Sequence, residues 1–211
     1  MQKKIPEETI VRLSYYLRAL IHFKDKEIQV ISSRRLADFL NINHHQLRKD
    51  LSYFGHFGQK GVGYSCVKLI ESIREILGLN QAWHACVVGF GNLGRALSLY
   101  RGFKDQGILI TTAFDIKEKK IKEYSHCVVY PLDSMRKVIA AERIRIGIVA
   151  VPRDAALDAA RRLYACSIRA IFNLAPVKLD LPKDAIVKDV DLSCQLISLT
   201  YHLKILEVKQ H

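Results

Sequence analysis

Six residues near the middle of the chain constrain its fold most strongly: Gly89, Phe90, Gly91, Asn92, Leu93 and Gly94. They follow an apolar run at 85–88 and open a helical pattern near Leu93, which is the context that makes this glycine spacing specific. The first glycine permits a tight turn, the second lets backbone approach a pyrophosphate, and the third lets the helix pack on the strand. The helix N-terminus would then face the phosphates. The sequence therefore predicts a dinucleotide site on a parallel sheet.

An acidic residue stands where such a site needs one. Asp115 ends the next apolar run, 21 residues beyond Gly94, and is expected to accept hydrogen bonds from the adenosine ribose hydroxyls. Taken alone, it would be an ordinary strand-end residue. Its charge should repel the extra phosphate of NADP, although Lys117 follows two residues later.

The rest of the second half alternates short apolar runs with helical patterns, as parallel sheets with crossover helices do. We predict strands at 85–88, 108–114, 127–129, 144–151, 170–172 and 186–187, and helices at 93–103, 133–141 and 153–166. A final amphipathic helix is predicted at 193–208, with Leu196, Leu199, Leu203 and Leu206 in line.

The first 80 residues have a different pattern. A helix is predicted at 10–23, and Ser32 or Ser33 can cap a short second helix. Asn43 can cap a third helix, at 44 to about 54, and a glycine-rich hairpin follows at 55–64. A further helix closes at Gly78. Helix, turn, helix and hairpin together predict a winged helix-turn-helix, with the domain boundary at 78–83.

The charge of the chain suits a polyanionic partner but does not locate it. The net charge is +12, and residues 1–80 carry 13 Lys and Arg against 8 Asp and Glu, while 81–211 carry 20 against 13. A DNA site must therefore rest on particular residues.

A solvated face is the alternative for the basic third helix, but the capped helix before it and the hairpin after it favour DNA. We predict DNA contacts from Ser33, His45, Gln46, Arg48, Lys49, Ser52, Tyr53, Lys60 and Tyr64.

Other chemistries find little support in the sequence. Cys66, Cys86, Cys127, Cys166 and Cys194 are scattered, which favours a reducing, cytoplasmic location, and no run is long enough to span a bilayer. His44 and His45 lack partners at metal-ligand spacing, so no metal is expected. His126 and His202 have no evident catalytic partner, which argues for binding without turnover.

The motifs together resemble the Rex family of redox-sensing transcriptional repressors over essentially the whole chain. The matching stretches are Arg-Leu-Ser-Tyr-Tyr-Leu-Arg at 12–18, Gln-Leu-Arg-Lys-Asp-Leu-Ser-Tyr-Phe-Gly at 46–55, Gly-Val-Gly-Tyr at 61–64, Glu-Ile-Leu-Gly-Leu at 75–79, the glycine motif, Ala-Val-Pro at 150–152, Asn-Leu-Ala-Pro-Val at 173–177 and Val-Asp-Leu at 190–192.

The resemblance implies an α/β protein with three parts: a winged helix at 1–80, a Rossmann-like NAD(H)-binding domain at 81–192, and a domain-swapped dimerisation helix at 193–211. It implies a homodimer that binds double-stranded operator DNA and is released by NADH, so that it responds to the NADH/NAD+ ratio. By position, Arg18, Tyr100 and Asp191 match a network that rearranges with cofactor state. Pro152, Tyr100 and Asp191 join the predicted cofactor site.

Two departures from the family pattern concern binding. The family often has Asp-x-Asp-Pro where this chain has Asp115, Ile116, Lys117 and Glu118, and the hairpin carries Lys60 where an arginine is common. Lysine lacks the planar fork of donors that arginine offers. An NAD-dependent dehydrogenase with a helical substrate domain and a CoA-binding Rossmann module remain the alternatives.

Overall fold

The computed structural model describes residues 5–59, 61–117, 121–124 and 126–208. The chain divides into two compact units, Met1–Gln81 and Ala82–His211.

The first unit is a helical domain with a small sheet. Its elements in chain order are α1 (Glu7–Asp25), β1 (Val30–Ile31), α2 (Ser33–Phe39), α3 (His44–Ser52), β2 (Gly58–Gln59), β3 (Gly63–Ser65) and α4 (Cys66–Ile76). The strands form an antiparallel sheet in the order β1-β3-β2. Helix α1 is longer than predicted at both ends, and α3 ends two residues earlier.

Local hydrogen bonds explain where the short helices begin. The Ser32 side chain accepts from the Arg35 N–H at 3.1 Å, and the Asn43 side chain accepts from the His45 N–H at 2.8 Å. Both bonds satisfy donors that have no partner within the helix. Of the two serines considered as a cap for α2, Ser32 is the one that does so.

One apolar core holds this unit together. Fully buried leucines of α1 (Leu13, Leu20), α2 (Leu36) and α3 (Leu47) meet Ile73 of α4. These side chains come from four helices, so burial on their shared face fixes α3 relative to α1.

The second unit is built on a seven-stranded sheet. Its strands are β4 (Trp83–Val88), β5 (Ile108–Asp115), β6 (Lys122–Glu123), β7 (Val128–Pro131), β8 (Ile146–Val149), β9 (Ala170–Asn173) and β10 (Ile186–Asp189). Their order is β10-β9-β8-β4-β5-β7-β6, and the described pairs are parallel except β6 with β7. The order of the strands reverses between β4 and β8, because β5 and β7 lie on one side of β4 while β8, β9 and β10 lie on the other. Ligands bind at such a point in open α/β sheets. Strand β6 was not predicted.

The helices of this unit are α5 (Asn92–Leu99), α6 (Arg101–Lys104), α7 (Met135–Ala141), α8 (Arg153–Ala165) and α9 (Leu192–Val208). The single helix predicted at 93–103 is wrong: Tyr100 has ψ 106°, an extended conformation that separates α5 from α6. The predicted start of α7 at Asp133 falls in a short 3₁₀ turn, Leu132–Ser134. No helix in the described part of the chain is long and apolar enough to cross a membrane.

Helix α9 differs most from its prediction. The expected line of leucines is present, and Leu196, Leu199, Leu203 and Leu206 are 55–67% exposed. However, Ile197, Tyr201 and Ile205 are exposed as well. The apolar side chains therefore form two stripes on opposite sides of the helix instead of the single face of an amphipathic helix, and its own chain leaves both uncovered.

Candidate DNA interface and nucleotide cavity

A groove in the first unit runs between α3 and the β2–β3 hairpin. Its volume is about 460 Å³, and it is lined by Ser32, Ser33, Arg48, Leu51, Ser52, Gly55, His56, Phe57, Gly58, Gln59, Gly61, Val62, Gly63 and Tyr64. We call it the recognition groove. It brings together four of the predicted DNA-binding residues, namely Ser33, Arg48, Ser52 and Tyr64.

Arg48 is an exposed cation of this groove. Its Nη2 lies 3.0 Å from Nδ1 of His45 and 3.2 Å from Nδ1 of His44. A guanidinium only donates, so these ring nitrogens accept. Loss of solvation, followed by the charges of His45 and Arg48, lowers the pKa of His44. The two imidazoles thereby orient the Arg48 guanidinium.

The remaining predicted residues of α3 have different environments. Lys49 and Ser52 are exposed, and the Ser52 hydroxyl donates to the Lys49 carbonyl at 2.7 Å. Tyr53 is half-buried at the C-terminus of the helix. Gln46 is half-buried and its Nε2 donates to Oδ1 of Asp50 at 2.9 Å, so its amide already has a structural partner. Lys60 lies outside the described residues.

Tyr64 is not the exposed hairpin side chain that the sequence suggested. Its ring is 9% exposed and belongs to the apolar core. Gly58 makes this possible, because a Cβ at that position would lie 2.8 Å from the Tyr64 ring. Burial raises the pKa of Tyr64, and the charge of Arg48 partly offsets that rise.

A buried carboxylate within α3 is the feature that sequence reasoning missed. Asp50 has 0% exposure, and four side chains donate to it. Arg12 donates through Nε at 2.6 Å and Nη2 at 2.8 Å, and the hydroxyls of Thr9 and Tyr16 donate at 3.0 and 2.7 Å. Gln46 is the fourth donor. This cluster, which we call the Asp50 cluster, attaches α3 to α1.

The hydrogen bonds of the cluster control its ionisation. Burial by itself would raise the pKa of Asp50, but the bonds from Arg12, Tyr16, Gln46 and Thr9 outweigh it and lower the pKa to about 2. The pKa of Tyr16, in contrast, is raised by burial and by its bond to Asp50. Asp50 lies three residues after Leu47 and directly before Leu51, on the apolar face of α3. This position is the sequence signal from which its burial could have been predicted.

The glycine motif of the second unit forms the loop between β4 and α5. Gly89 has φ +95°, and an added Cβ would lie 2.6 Å from the Ala150 carbonyl oxygen. A Cβ at Gly94 would collide with the carbonyl oxygen of Gly89. At Gly91, by contrast, an added Cβ would meet no heavy atom within 4 Å. The first and third glycines are needed for packing, while the second leaves open space beside the α5 N-terminus.

A cavity of about 380 Å³ lies next to this loop. Its lining is Val88, Gly89, Gly91, Phe114, Asp115, Ile116, Lys117, Leu132, Ala150, Val151, Pro152, Ala155, Asp158, Ala159 and Arg162. We call it the nucleotide cavity. Four of the predicted cofactor residues line it: Gly89, Gly91, Asp115 and Pro152. The other members of the motif, Phe90, Asn92, Leu93 and Gly94, adjoin it in sequence.

Asp115 is held in place by backbone donors. Its Oδ2 accepts from the Phe90 N–H at 2.6 Å, and its Oδ1 accepts from the Lys117 N–H at 2.9 Å. A carboxylate offers about four acceptor positions, so two remain for a ligand with paired hydroxyls. The open space at Gly91 and this carboxylate fit the pyrophosphate and the ribose of a dinucleotide.

Family models match both units. Residues 4–52 match "Putative DNA-binding protein N-terminus", and residues 80–177 match "CoA binding domain". Proteins named "Redox-sensing transcriptional repressor Rex" are similar over nearly the full chain. The one from Desulforamulus reducens is 44% identical, covering 97% of this chain and 98% of its own. The one from Carboxydothermus hydrogenoformans is 43% identical, covering 95% and 97%.

The chain belongs to the Rex family of redox-sensing transcriptional repressors.

Solved Rex-family structures have the same fold. The structure of RSP in complex with β-NAD+ and operator DNA has a TM-score of 0.89 at 33% identity, covering 99% of this chain and 97% of that chain. The structure of RSP with β-NADH has a TM-score of 0.86 at 31% identity, covering 98% and 97%. The winged-helix and Rossmann-like fold predicted from the sequence is thereby confirmed, while exchange of the last helix stays a prediction.

The three residues matched to the Rex switch network lie apart in sequence and environment. Arg18 is exposed on α1 in the first unit, rather than buried as the family pattern implies. Tyr100 is 61% exposed between α5 and α6, with its ring over Gly102, and it does not line the nucleotide cavity. Asp191 accepts from the Ser193 hydroxyl and from the N–H groups of Ser193 and Cys194 at the start of α9. Side-chain hydrogen bonds, from Ser193 first, lower its pKa. Their linkage remains a prediction.

The cysteines of this Rex-family chain are all free thiols. Cys66, Cys86 and Cys127 are buried, and burial raises the pKa of Cys127 to about 12. These thiols therefore remain protonated and serve as small apolar core groups.

Proposed function

We propose that this chain represses transcription by binding operator DNA through the recognition groove, and that NADH bound in the nucleotide cavity releases it. The observation that carries the proposal is the presence of both sites in one chain: a groove with Arg48 exposed in one unit, and a glycine loop with Asp115 in the other. A relative 33% identical over 99% of this chain is seen with β-NAD+ and operator DNA.

In this proposal the DNA residues divide into two roles. Arg48 can read a guanine edge, because its donor fork matches the O6 and N7 acceptors of the base. His45, Lys49, Ser52, Tyr53 and Ser33 surround it and suit phosphate contacts, which fix register without reading sequence. Lys60 suits a phosphate contact as well, whereas Gln46 donates to Asp50 and Tyr64 packs in the apolar core of the unit.

The nucleotide cavity would hold the adenosine half of the cofactor. The α5 N-terminus beside Gly91 would face the pyrophosphate, and Asp115 would accept the ribose hydroxyls. When bound, the cofactor supplies a nicotinamide ring that is neutral in NADH and cationic in NAD+. A ring site with apolar walls would favour the neutral form, because burying an unpaired charge is costly.

The acting species would be a homodimer in which α9 of each copy packs on the other. The exposure of Leu196, Leu199, Leu203 and Leu206 supports this, since a lone helix with exposed apolar stripes on two opposite sides needs cover. A dimer also places two copies of α3 for successive major grooves, roughly 34 Å apart. A change in the spacing between them would lower DNA affinity.

Operator binding by the full chain, measured with each cofactor titrated separately, tests the proposal. DNA fragments selected from a random pool by the purified protein provide the operator. We expect NADH to release the DNA at concentrations where NAD+ does not. By linkage, operator DNA must weaken NADH binding by the same factor. Indifference of the complex to both cofactors would refute the proposal.

Substitution of Arg48 separates the two sites. Arg48→Ala should abolish sequence-specific DNA binding and leave NADH affinity unchanged, because the residue lies in the other unit from the nucleotide cavity. Lys24→Ala is the matched control, since Lys24 is exposed on α1 and outside the groove. Loss of NADH binding by Arg48→Ala would indicate a folding defect rather than lost readout.

The chain would work by binding rather than by turnover, in the cytoplasm where the DNA is. None of the described lining residues of the nucleotide cavity is a histidine, and His126 instead contacts the Ser98 hydroxyl at 3.1 Å. A dehydrogenase is the second candidate, and substrate-dependent change in NADH absorbance would favour it. The Asp115 carboxylate favours NAD(H) over CoA as the ligand.

A further inference from the structure

The two residues that follow β5, Ile116 and Lys117, line the nucleotide cavity. The Lys117 N–H donates to Oδ1 of Asp115 at 2.9 Å, which forms an Asx turn of two residues. Lys117 is exposed, and it lines the cavity beside Asp115. This turn therefore holds a flexible cation at the rim, next to the carboxylate that suits the adenosine ribose.

Lys117 has no acidic partner of its own among the described residues that line the cavity. The charged residues of that lining are Asp115, Lys117, Asp158 and Arg162. Arg162 is paired with Asp158 at 2.7 Å. The Asp115 carboxylate is engaged by two backbone N–H groups, which already stabilise its negative charge.

The sequence from Lys117 onward is strongly basic. Residues 117–122 contain four lysines and one glutamate. Positive charge near a nucleotide site attracts additional phosphate groups, and Lys117 is the residue of this stretch that lines the described part of the cavity. A ribose with free hydroxyls needs an acceptor, which Asp115 provides. Such a ribose carries no negative charge that a lysine could pair with.

We propose that Lys117 binds a phosphate on the 2′ oxygen of the adenosine ribose, so that the cavity accepts NADPH as well as NADH. The inference rests on the proposed function, because it assumes that a dinucleotide occupies the nucleotide cavity. In NADH the 2′ hydroxyl donates to Asp115. In NADPH the phosphate lies beside Asp115, and the Lys117 ammonium offsets the repulsion between the two anions.

Calorimetric titration of the full chain with NADH and with NADPH tests this inference. We expect NADPH to bind within about tenfold of NADH at low ionic strength, and its relative affinity to fall as salt is added. Lys117→Gln should weaken NADPH by about fivefold to tenfold and change NADH by less than about twofold. Lys183→Gln is the matched control, an exposed lysine outside the cavity lining.

The outcomes separate this inference from the proposed function. NADH binding with NADPH more than a hundredfold weaker would overturn the role of Lys117 and leave the proposed function standing. An equal effect of Lys117→Gln on both nucleotides, or no effect on either, would overturn it too. Failure of both nucleotides to bind the wild-type chain would refute the proposed function itself. Retained NADH binding by Lys117→Gln shows that the variant is folded.

Discussion

The substitution Asp50→Asn isolates the contribution of the Asp50 cluster to the DNA-binding unit. The side chain keeps its size but loses its charge, and its amide nitrogen meets donors in a site with 0% exposure. The Arg12 guanidinium then loses the carboxylate that it binds at 2.6 and 2.8 Å. We expect α3 to detach from α1 more readily, because the cluster joins residues of these two helices.

The magnitude follows from the ionisation of Asp50. Its pKa falls from 3.8 to about 2 on folding, and a difference of about 1.8 units corresponds to about 2.5 kcal/mol. Because the folded-state pKa is the lower one, this stability is fully present above about pH 5. It is lost as the pH falls through the folded-state pKa, with about half remaining at pH 3.

Hydrogen exchange measured by mass spectrometry on the full chain is the suitable assay, because it resolves opening of the first unit from opening of the second. At pH 7, exchange of the α3 amides should be about 70-fold faster in Asp50→Asn than in the wild type. The ratio should shrink as the pH is lowered toward 2. Asp38→Asn is the control, because Asp38 is an exposed carboxylate of α2 in the same unit.

Two results would refute this reasoning. Equal α3 exchange in the wild type and Asp50→Asn at pH 7 would mean that the cluster contributes nothing to stability. A ratio that stays constant between pH 7 and pH 2 would mean that the variant acts through packing rather than through charge.

Four further predictions concern the second unit. Gly91→Ala should raise the NADH dissociation constant tenfold or more without changing the thermal midpoint, because its Cβ enters open space. Gly94→Ala should lower the free energy of unfolding by about 1–3 kcal/mol, measured by urea unfolding with the fluorescence of the single tryptophan. Asn173→Ala should cost about 1–3 kcal/mol in the same assay, since its buried amide makes three hydrogen bonds. The double variant Leu199→Glu with Leu203→Glu should sediment as a monomer where the wild type sediments as a dimer; an unchanged dimer would refute the role of α9.

Sequence patterns predicted the fold class and most of its elements correctly. The caps at Ser32 and Asn43, the glycine loop after β4 and the alternation of strands and helices depend on residues a few positions apart. Such features rest on local hydrogen bonds and backbone conformation, which a linear sequence displays directly. Family membership likewise follows from motifs that are contiguous in the chain.

Tertiary structure decided the features that depend on distant residues. Arg12 and Asp50 are 38 positions apart, and only the packing of α1 against α3 makes them a bidentate pair. Tyr64 became a core residue because Gly58 on the neighbouring strand leaves room for its ring. Tyr100 interrupts a pattern that reads as one continuous helix.

The sequence by itself therefore determined which elements form and which motifs they carry, because helix caps, glycine turns and hydrophobic periods act over a few residues. Only the tertiary structure decided which polar side chains are free to bind a ligand. Asp50 and Gln46 lie in a basic helix, yet they hold it to α1, while Lys117 is left at the rim of the nucleotide cavity. Burial and hydrogen-bond satisfaction set that difference, and both are properties of the assembled fold.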